Sequence, residues 1–153
     1  MIIETDIGPV SLGLQMGKLF CEFGIHSVEK EPTKKLAKQL VDYFSGNMRR
    51  PFSTPIPDGP DFSRNCWEAC RKIPYGKTIS YKELATMAGS PKAARAAGQA
   101  MRNNPVAILT PCHRVLSSAG ELHGFAGTTS KDSKELKRKQ YLLNHEKRYT
   151  NEP

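Results

Sequence analysis

Four prolines, Pro51, Pro55, Pro57 and Pro60, fall within residues 51–60, with Gly59 among them. Each proline fixes its own φ, removes a backbone donor and biases the preceding residue toward extended backbone. Such a stretch can be neither regular helix nor central strand. It reads as a linker, and the residue patterns on its two sides differ. We therefore expect an N-terminal part over 1–54 and a C-terminal part over 55–153.

The N-terminal part reads first as strands. Ile2-Ile3-Glu4-Thr5 is followed by Gly8-Pro9, then Val10-Ser11-Leu12-Gly13-Leu14 alternates, Gln15-Met16-Gly17-Lys18 turns, and Leu19 to Ile25 alternates again. Period-two alternation around turn residues predicts antiparallel pairing, with Cys21 on the inward face. From Thr33 to Phe44 apolar residues fall at 36, 37, 40, 41, 43 and 44. That spacing predicts an amphipathic helix with Thr33 as N-cap and Gly46 just past its end.

Beyond the linker, helix follows helix. Asp61 or Ser63 can cap the first, which runs to about Lys72 before Ile73-Pro74-Tyr75-Gly76-Lys77 breaks it. Cys66 and Cys70 share its face with Phe62 and Ile73, which favours core packing. A zinc site would need a second ligand pair, and none stands out nearby. Ser80 with Glu83 forms a capping box for a second helix that Gly89 ends. Ser90 caps a third, with Pro91 in its first turn, extending to Arg102 until Asn103-Asn104-Pro105 stops it. Two short helices joined by Gly89-Ser90-Pro91 have the form of a helix-turn-helix. The expected fold class is α/β of the α+β kind: a small antiparallel sheet domain, then a mainly helical domain with a winged helix-turn-helix-like motif.

Charge is unevenly spread. The chain of 153 residues carries 23 Lys+Arg and 15 Asp+Glu, a formal net charge of +8. Residues 1–63 sum to −1, residues 64–114 to +7 and residues 115–153 to +2. The basic block fits a polyanion partner or a well-solvated basic surface equally well. The 38% hydrophobic content suffices for a core. No apolar run approaches the ~18 residues of a membrane span, and no basic-then-apolar leader opens the chain, so an intracellular protein is expected. Its cysteines are then expected to be reduced.

The third helix is unusual for a reader of base edges. It carries five alanines and a glycine between Lys92 and Arg102. Small residues bring backbone close to a surface without reading it, which suits either tight helix packing or a grip on a nucleic-acid groove regardless of sequence. Downstream, Thr110-Pro111-Cys112-His113-Arg114-Val115 places a thiol and an imidazole together in a polar, basic setting. An unperturbed thiol with a pKa of about 8.5 is only a few per cent thiolate at neutral pH, so Cys112 needs a base or a positive neighbourhood. His113 is the obvious base.

Four strings carry a family resemblance: Ile79-Ser80-Tyr81-Lys82-Glu83-Leu84-Ala85, Ser90-Pro91-Lys92-Ala93-Ala94-Arg95-Ala96-Ala97-Gly98, Met101-Arg102-Asn103-Asn104-Pro105, and Ile108-Leu109-Thr110-Pro111-Cys112-His113-Arg114-Val115. Together they strongly resemble the O6-alkylguanine-DNA alkyltransferases, closely over about 62–127, and Leu142-Leu143-Asn144-His145-Glu146 also fits.

The resemblance implies transfer of an alkyl group from guanine O6 in duplex DNA to Cys112, consuming the protein in one turnover. It implies a water between Cys112 and His113, and Glu146 orienting the histidine. It further implies that Arg95 fills the space of the flipped base and that Tyr81 rotates the phosphate and can donate a proton to the leaving guanine. Asn104 would tie the helix-turn-helix to the active-site segment. Lys92, Ala94, Gly98, Arg102 and Arg114 would meet DNA from the minor-groove side with little sequence preference. Val115, Phe125, Ala126 and Gly127, with backbone near Gly120, would line the pocket. The N-terminal part would resemble a small ribonuclease H-like sheet. A monomer with neither cofactor nor metal, cytoplasmic or nuclear, is expected.

Phe125 and Ala126 stand where the family often has tyrosine and serine, and the segment 128–141 is longer than usual. Its Lys137-Arg138-Lys139 fits a phosphate contact or, the preferred reading, the solvated face of a last helix. Rival readings are a lesion sensor that does not react, an ordinary helix-turn-helix regulator, and a cysteine hydrolase. Cys112 argues against the first and the alanine-rich helix against the second. A DNA-reading module just upstream of the nucleophile is unexplained by the third.

Overall fold

The computed structural model describes residues 1–117 and 134–150. Strands β1 (Ile2–Thr5), β2 (Gly8–Gln15) and β3 (Lys18–Phe23) form an antiparallel sheet in that order. Met16 (φ 52°) and Gly17 (φ 75°) close the β2–β3 hairpin with Gln15 opposite Lys18. Two consecutive positive φ values match the right-handed twist of the paired strands. Helix α1 (Lys34–Phe44) begins where Thr33 Oγ1 accepts the Leu36 N–H at 3.2 Å, as its sequence predicts. It buries Leu36, Leu40 and Tyr43.

The core beneath α1 belongs to both parts of the chain. Val10, Leu12, Cys21, Leu36, Leu40 and Tyr43 pack with Val106, Ile108, Leu109 and Leu142. The open edge of β3 is covered as well: Cys21 N–H donates to Pro105 O at 3.1 Å, and Ala107 N–H donates to Cys21 O at 2.9 Å. Pairing of this kind satisfies edge groups that would otherwise face solvent. The stretch leading to the Cys112 segment is therefore anchored to the N-terminal sheet.

A second core lies wholly beyond the linker, between α2 (Asp61–Cys70), α3 (Tyr81–Met87) and α4 (Ala94–Arg102). Cys66 and Cys70 are buried in it, which is the packing role their spacing suggests. Trp67 Nε1–H donates to Ala100 O at 2.8 Å, and Ala97 and Ala100 let α4 approach closely. The capping box of Ser80 and Glu83 is present.

Two expected caps are corrected. Pro60 stands at the α2 N-cap, with no side-chain cap, and Asp61 lies in the first turn, where a carboxylate suits the positive helix end. Ser90 does not cap α4. Its carbonyl accepts the Ala93 N–H at 2.9 Å, closing a separate turn, and Ala93 at φ −102°, ψ 36° is not helical, so α4 starts at Ala94.

After α4 come a 3₁₀ turn at Cys112–Arg114, β5 (Val115–Leu116) and the long α5 (Lys134–Thr150). β5 pairs in parallel with β4 (Ile79–Ser80), Ile79 against Val115 and Ser80 against Leu116. This pairing places the start of α3 beside the segment that follows Cys112. No helix among the described residues is long and apolar enough to cross a membrane.

Candidate active site

The approach to Cys112 is tightly turned. Ile108 has φ 72°, and Leu109 N–H donates to Ala107 O at 2.8 Å. Positive φ is costly for a β-branched residue and persists only where surroundings impose it. Here full burial of Ile108 and a clamp from Asn104 do so. Asn104 Nδ2 donates to Thr110 O at 2.8 Å, while its Oδ1 accepts the Val106 N–H at 3.0 Å. Arg71 Nε adds a bond to Thr110 Oγ1 at 2.9 Å. Asn104 thus joins the end of α4 to the segment that carries Cys112, a placement in line with what the resemblance implies.

Cys112 is 5% exposed. Burial pushes its thiol up; a hydrogen bond from Asn104, the charge of Lys139 and the backbone at 112 and 113 pull the other way. The resting side chain is therefore a protonated thiol held where a cation and donors wait for its negative form.

His113 is fully buried behind it, with Nε2 2.5 Å from Glu146 Oε2. Burial lowers the imidazole's pKa, outweighing the opposing pull of Glu146. The neutral ring then carries its proton on Nε2, against the carboxylate, and leaves Nδ1 as a lone pair. Nδ1 is buried and bonds to none of the described residues.

Glu146 gathers donors from three parts of the chain. Besides His113, its Oε2 accepts from Tyr43 Oη at 2.7 Å and Arg114 Nη2 at 3.0 Å, and its Oε1 accepts from Arg114 Nε at 2.8 Å and Gly76 N–H at 3.1 Å. Burial pushes the carboxyl up, but His113 and Arg114 outweigh it and hold Glu146 well below the usual range. A buried carboxylate surrounded this way stays ionised and fixed in rotamer.

Tyr81, first residue of α3, lies within electrostatic reach of Cys112, and its hydroxyl is pushed up to about 12, by burial first and then by Cys112. Lys139 of α5 stacks its amino group 5.7 Å from the centre of the Tyr81 ring and donates to Val115 O at 2.6 Å. It is completely buried, which corrects the expectation of a solvated helix face at Lys139, while Lys137 is exposed. Leu136, Lys139 and Leu142 are all buried, so the lysine sits in the apolar stripe of α5 rather than opposite it.

The other expected residues separate by place. Lys92, Arg95 and Arg102 are exposed, and Arg95, Ala96, Gln99 and Arg102 share the outer face of α4. Ala94 and Gly98 are half-buried, Gly98 beside the Tyr81 ring. Arg114, expected on DNA, is instead turned inward: besides Glu146 it donates from Nη1 to Ile73 O at 2.8 Å and lies over the Tyr75 ring. Val115, expected in the pocket, is fully buried in the second core. Phe125, Ala126 and Gly127, with Gly120, lie outside the described residues.

Sequence reasoning missed Tyr43, Gly76 and Lys139. Nothing local marks Tyr43 or Gly76, whose partner is far along the chain, whereas Lys139 could have been found from its phase with Leu136 and Leu142.

Comparison with known proteins bears directly on this geometry. The methylated-DNA–protein-cysteine methyltransferase of Methanosarcina barkeri is 42% identical over 136 residues, 82% of this chain and 86% of that protein. The constitutive enzyme of that name from Bacillus subtilis is 39% identical over 127 residues, 80% of this chain and 73% of its own length. The crystal structure of Mycobacterium tuberculosis O6-methylguanine methyltransferase superposes with a TM-score of 0.77 at 32% identity, covering 99% of this chain and 93% of that one. The structure of the M. tuberculosis protein in complex with DNA gives 0.76 at 33% identity, over 97% and 92%. Residues 61–148 match the model for the 6-O-methylguanine DNA methyltransferase DNA-binding domain, so this chain, with its buried Cys112, His113 and Glu146, belongs to the 6-O-methylguanine DNA methyltransferase family.

Proposed function

We propose that this protein repairs DNA by moving an alkyl group from O6 of a damaged guanine onto Cys112, once per molecule. The observation that carries this reading is the buried His113–Glu146 pair next in sequence to a buried Cys112, which packs in one core with α4, a helix whose outer face is small and basic. In the reaction Cys112 gives up its proton through a bridging water to His113 Nδ1, and Glu146 stabilises the imidazolium that results. The thiolate sulfur forms a bond to the alkyl carbon as the carbon–O6 bond breaks, and the electron pair stays on guanine, which gains a proton from Tyr81. A thioether has no acyl carbon for water to attack, so the sulfur is not regenerated. Attack at a saturated carbon by a thiolate requires no cofactor.

DNA binds along α4. Ala96 and the half-buried Ala94 and Gly98 keep the helix slim enough to lie in the minor groove, about 6 Å wide, and offer little to read a sequence with. Arg95 occupies the gap left by the flipped base, which costs a few kcal/mol to extrude and less when mispaired. Asn104 holds the nucleophile segment against this helix, while Lys92 and Arg102 bind phosphate. Arg114 acts on Glu146 rather than on DNA. The protein works as a monomer where the cell keeps its DNA, in cytoplasm or nucleus.

The test is a duplex with an isotopically labelled methyl on guanine O6. Label should move to protein and stop at one methyl per molecule. Release of label over many turnovers means a hydrolase, and tight binding without transfer means a sensor.

A further inference from the structure

The N-terminal part contributes a side chain to the centre of the site. Tyr43 lies on α1, is 1% exposed, and donates its hydroxyl to Glu146 Oε2 at 2.7 Å, across 103 residues of sequence. That oxygen is the one against which His113 Nε2 rests. We propose that Tyr43 is a positioning residue for alkyl transfer, its hydroxyl fixing the orientation and charge distribution of Glu146 and so the proton affinity of His113. The inference rests on the function proposed above.

The ring and the hydroxyl of Tyr43 have separable roles. The ring packs among Phe44, Phe52, Tyr75 and His145, with centroids 5.2, 5.9, 6.1 and 5.2 Å away. A phenylalanine would supply that packing without placing a polar atom in the core. The hydroxyl gains its place only through Glu146, because a buried O–H without a partner is costly. Glu146 does not lack donors, since Arg114 and Gly76 also reach it. What Tyr43 adds is a neutral donor on the oxygen facing His113. It draws charge from that oxygen and holds the carboxylate plane against rotation.

Its removal concentrates negative charge on the side facing the imidazole. His113 then binds its proton more tightly and releases it less readily. The titratable and charged groups facing this pair are Glu146, Lys139 and His145 from α5, Arg114 from the turn at Cys112–Arg114, and Tyr75 from the segment after α2. All remain in place when only the Tyr43 oxygen is deleted.

The experiment uses the full chain and Tyr43→Phe, with carbon-13 labelled histidine followed by NMR across pH. The His113 midpoint should rise by about one unit in the variant, the scale of one hydrogen bond to a charged group. The pH profile of the transfer rate should move with it in a variant that remains folded. A folded variant with midpoint and profile unchanged overturns the proposal and leaves Tyr43 as packing. Should Tyr43→Phe not fold, the unsubstituted protein decides: the Tyr43 ring carbon bearing the hydroxyl should shift with the His113 midpoint, and independent behaviour refutes the coupling. These titrations need no DNA. A protein that accepts no alkyl group would thus defeat the functional reading while the Tyr43 result stands or falls separately.

Discussion

Arg114 grips both oxygens of Glu146, Nε to Oε1 at 2.8 Å and Nη2 to Oε2 at 3.0 Å, two positions after Cys112 in sequence and 32 residues before its partner. The fork explains why a carboxylate with no exposed surface remains charged. It also makes the protein's stability depend on acid in a defined way.

Glu146 is held below the usual carboxylate value of about 4.3 in the folded state by His113 and Arg114, which outweigh burial. A depressed folded pKa contributes stability that is fully present above the unfolded value and is lost as pH falls toward the folded one. Urea denaturation should therefore show stability falling steeply below about pH 4.3. Glu146→Gln should be less stable at neutral pH, by about 3–5 kcal/mol for a broken buried pair, with a shallower acid limb. An equally steep limb in the variant would place the acid sensitivity elsewhere.

Lys139 acts in the same sense at the alkaline end of the range. Burial lowers its ammonium from the ordinary 10.5 to about 8, with Cys112 pulling it back up. The unfolded chain then binds more protons than the folded one between those values, so Lys139 makes stability rise with pH across that window. Subtracting the curve of Lys139→Met from that of the natural protein should isolate this rise. Without the cation the Cys112 thiolate is less favoured, and each unit gained by the thiol lowers its thiolate fraction about tenfold near neutrality. Transfer in Lys139→Met should slow by about that factor, measured in single-turnover assays.

Arg95 and its neighbours are testable on DNA itself. If Arg95 stabilises the flipped state, Arg95→Ala should slow transfer from duplex by at least about tenfold and from a single strand far less, because the strand has no partner to leave. The two exposed cations assigned to phosphate, Lys92 and Arg102, predict a slope of about −2 in log affinity against log salt, reduced by about one in Lys92→Ala. A salt-independent affinity would remove DNA from the face of α4.

The elements of this fold lie close to the surface of its sequence. Thr33, the Ser80–Glu83 box and the Met16-Gly17 turn act through neighbours two to four residues away, so local pattern exposes them. The start of α4 was hidden because Ser90-Pro91 fits both an N-cap and a free turn, and only the Ala93 to Ser90 bond decides between them. In the site, Cys112 and His113 declare themselves by adjacency. Tyr43 and Gly76 do not, because each acts solely through a carboxylate that folding brings to it from far along the chain. Arg114 was misplaced for a related reason: its charge belongs to a basic stretch, but its direction is set by a buried acid on another helix. The basic surplus of residues 64–114 is therefore not all surface charge, since Arg114 turns inward to Glu146.

The central claim concerns one sulfur atom. After incubation with duplex containing O6-methylguanine, mass spectrometry of the digested protein should find a methyl increment on the peptide carrying Cys112, in a yield that tracks the guanine restored, and none in Cys112→Ala. A natural protein whose Cys112 peptide stays unmodified while the lesion disappears, or a methyl group found on another cysteine, would contradict the account.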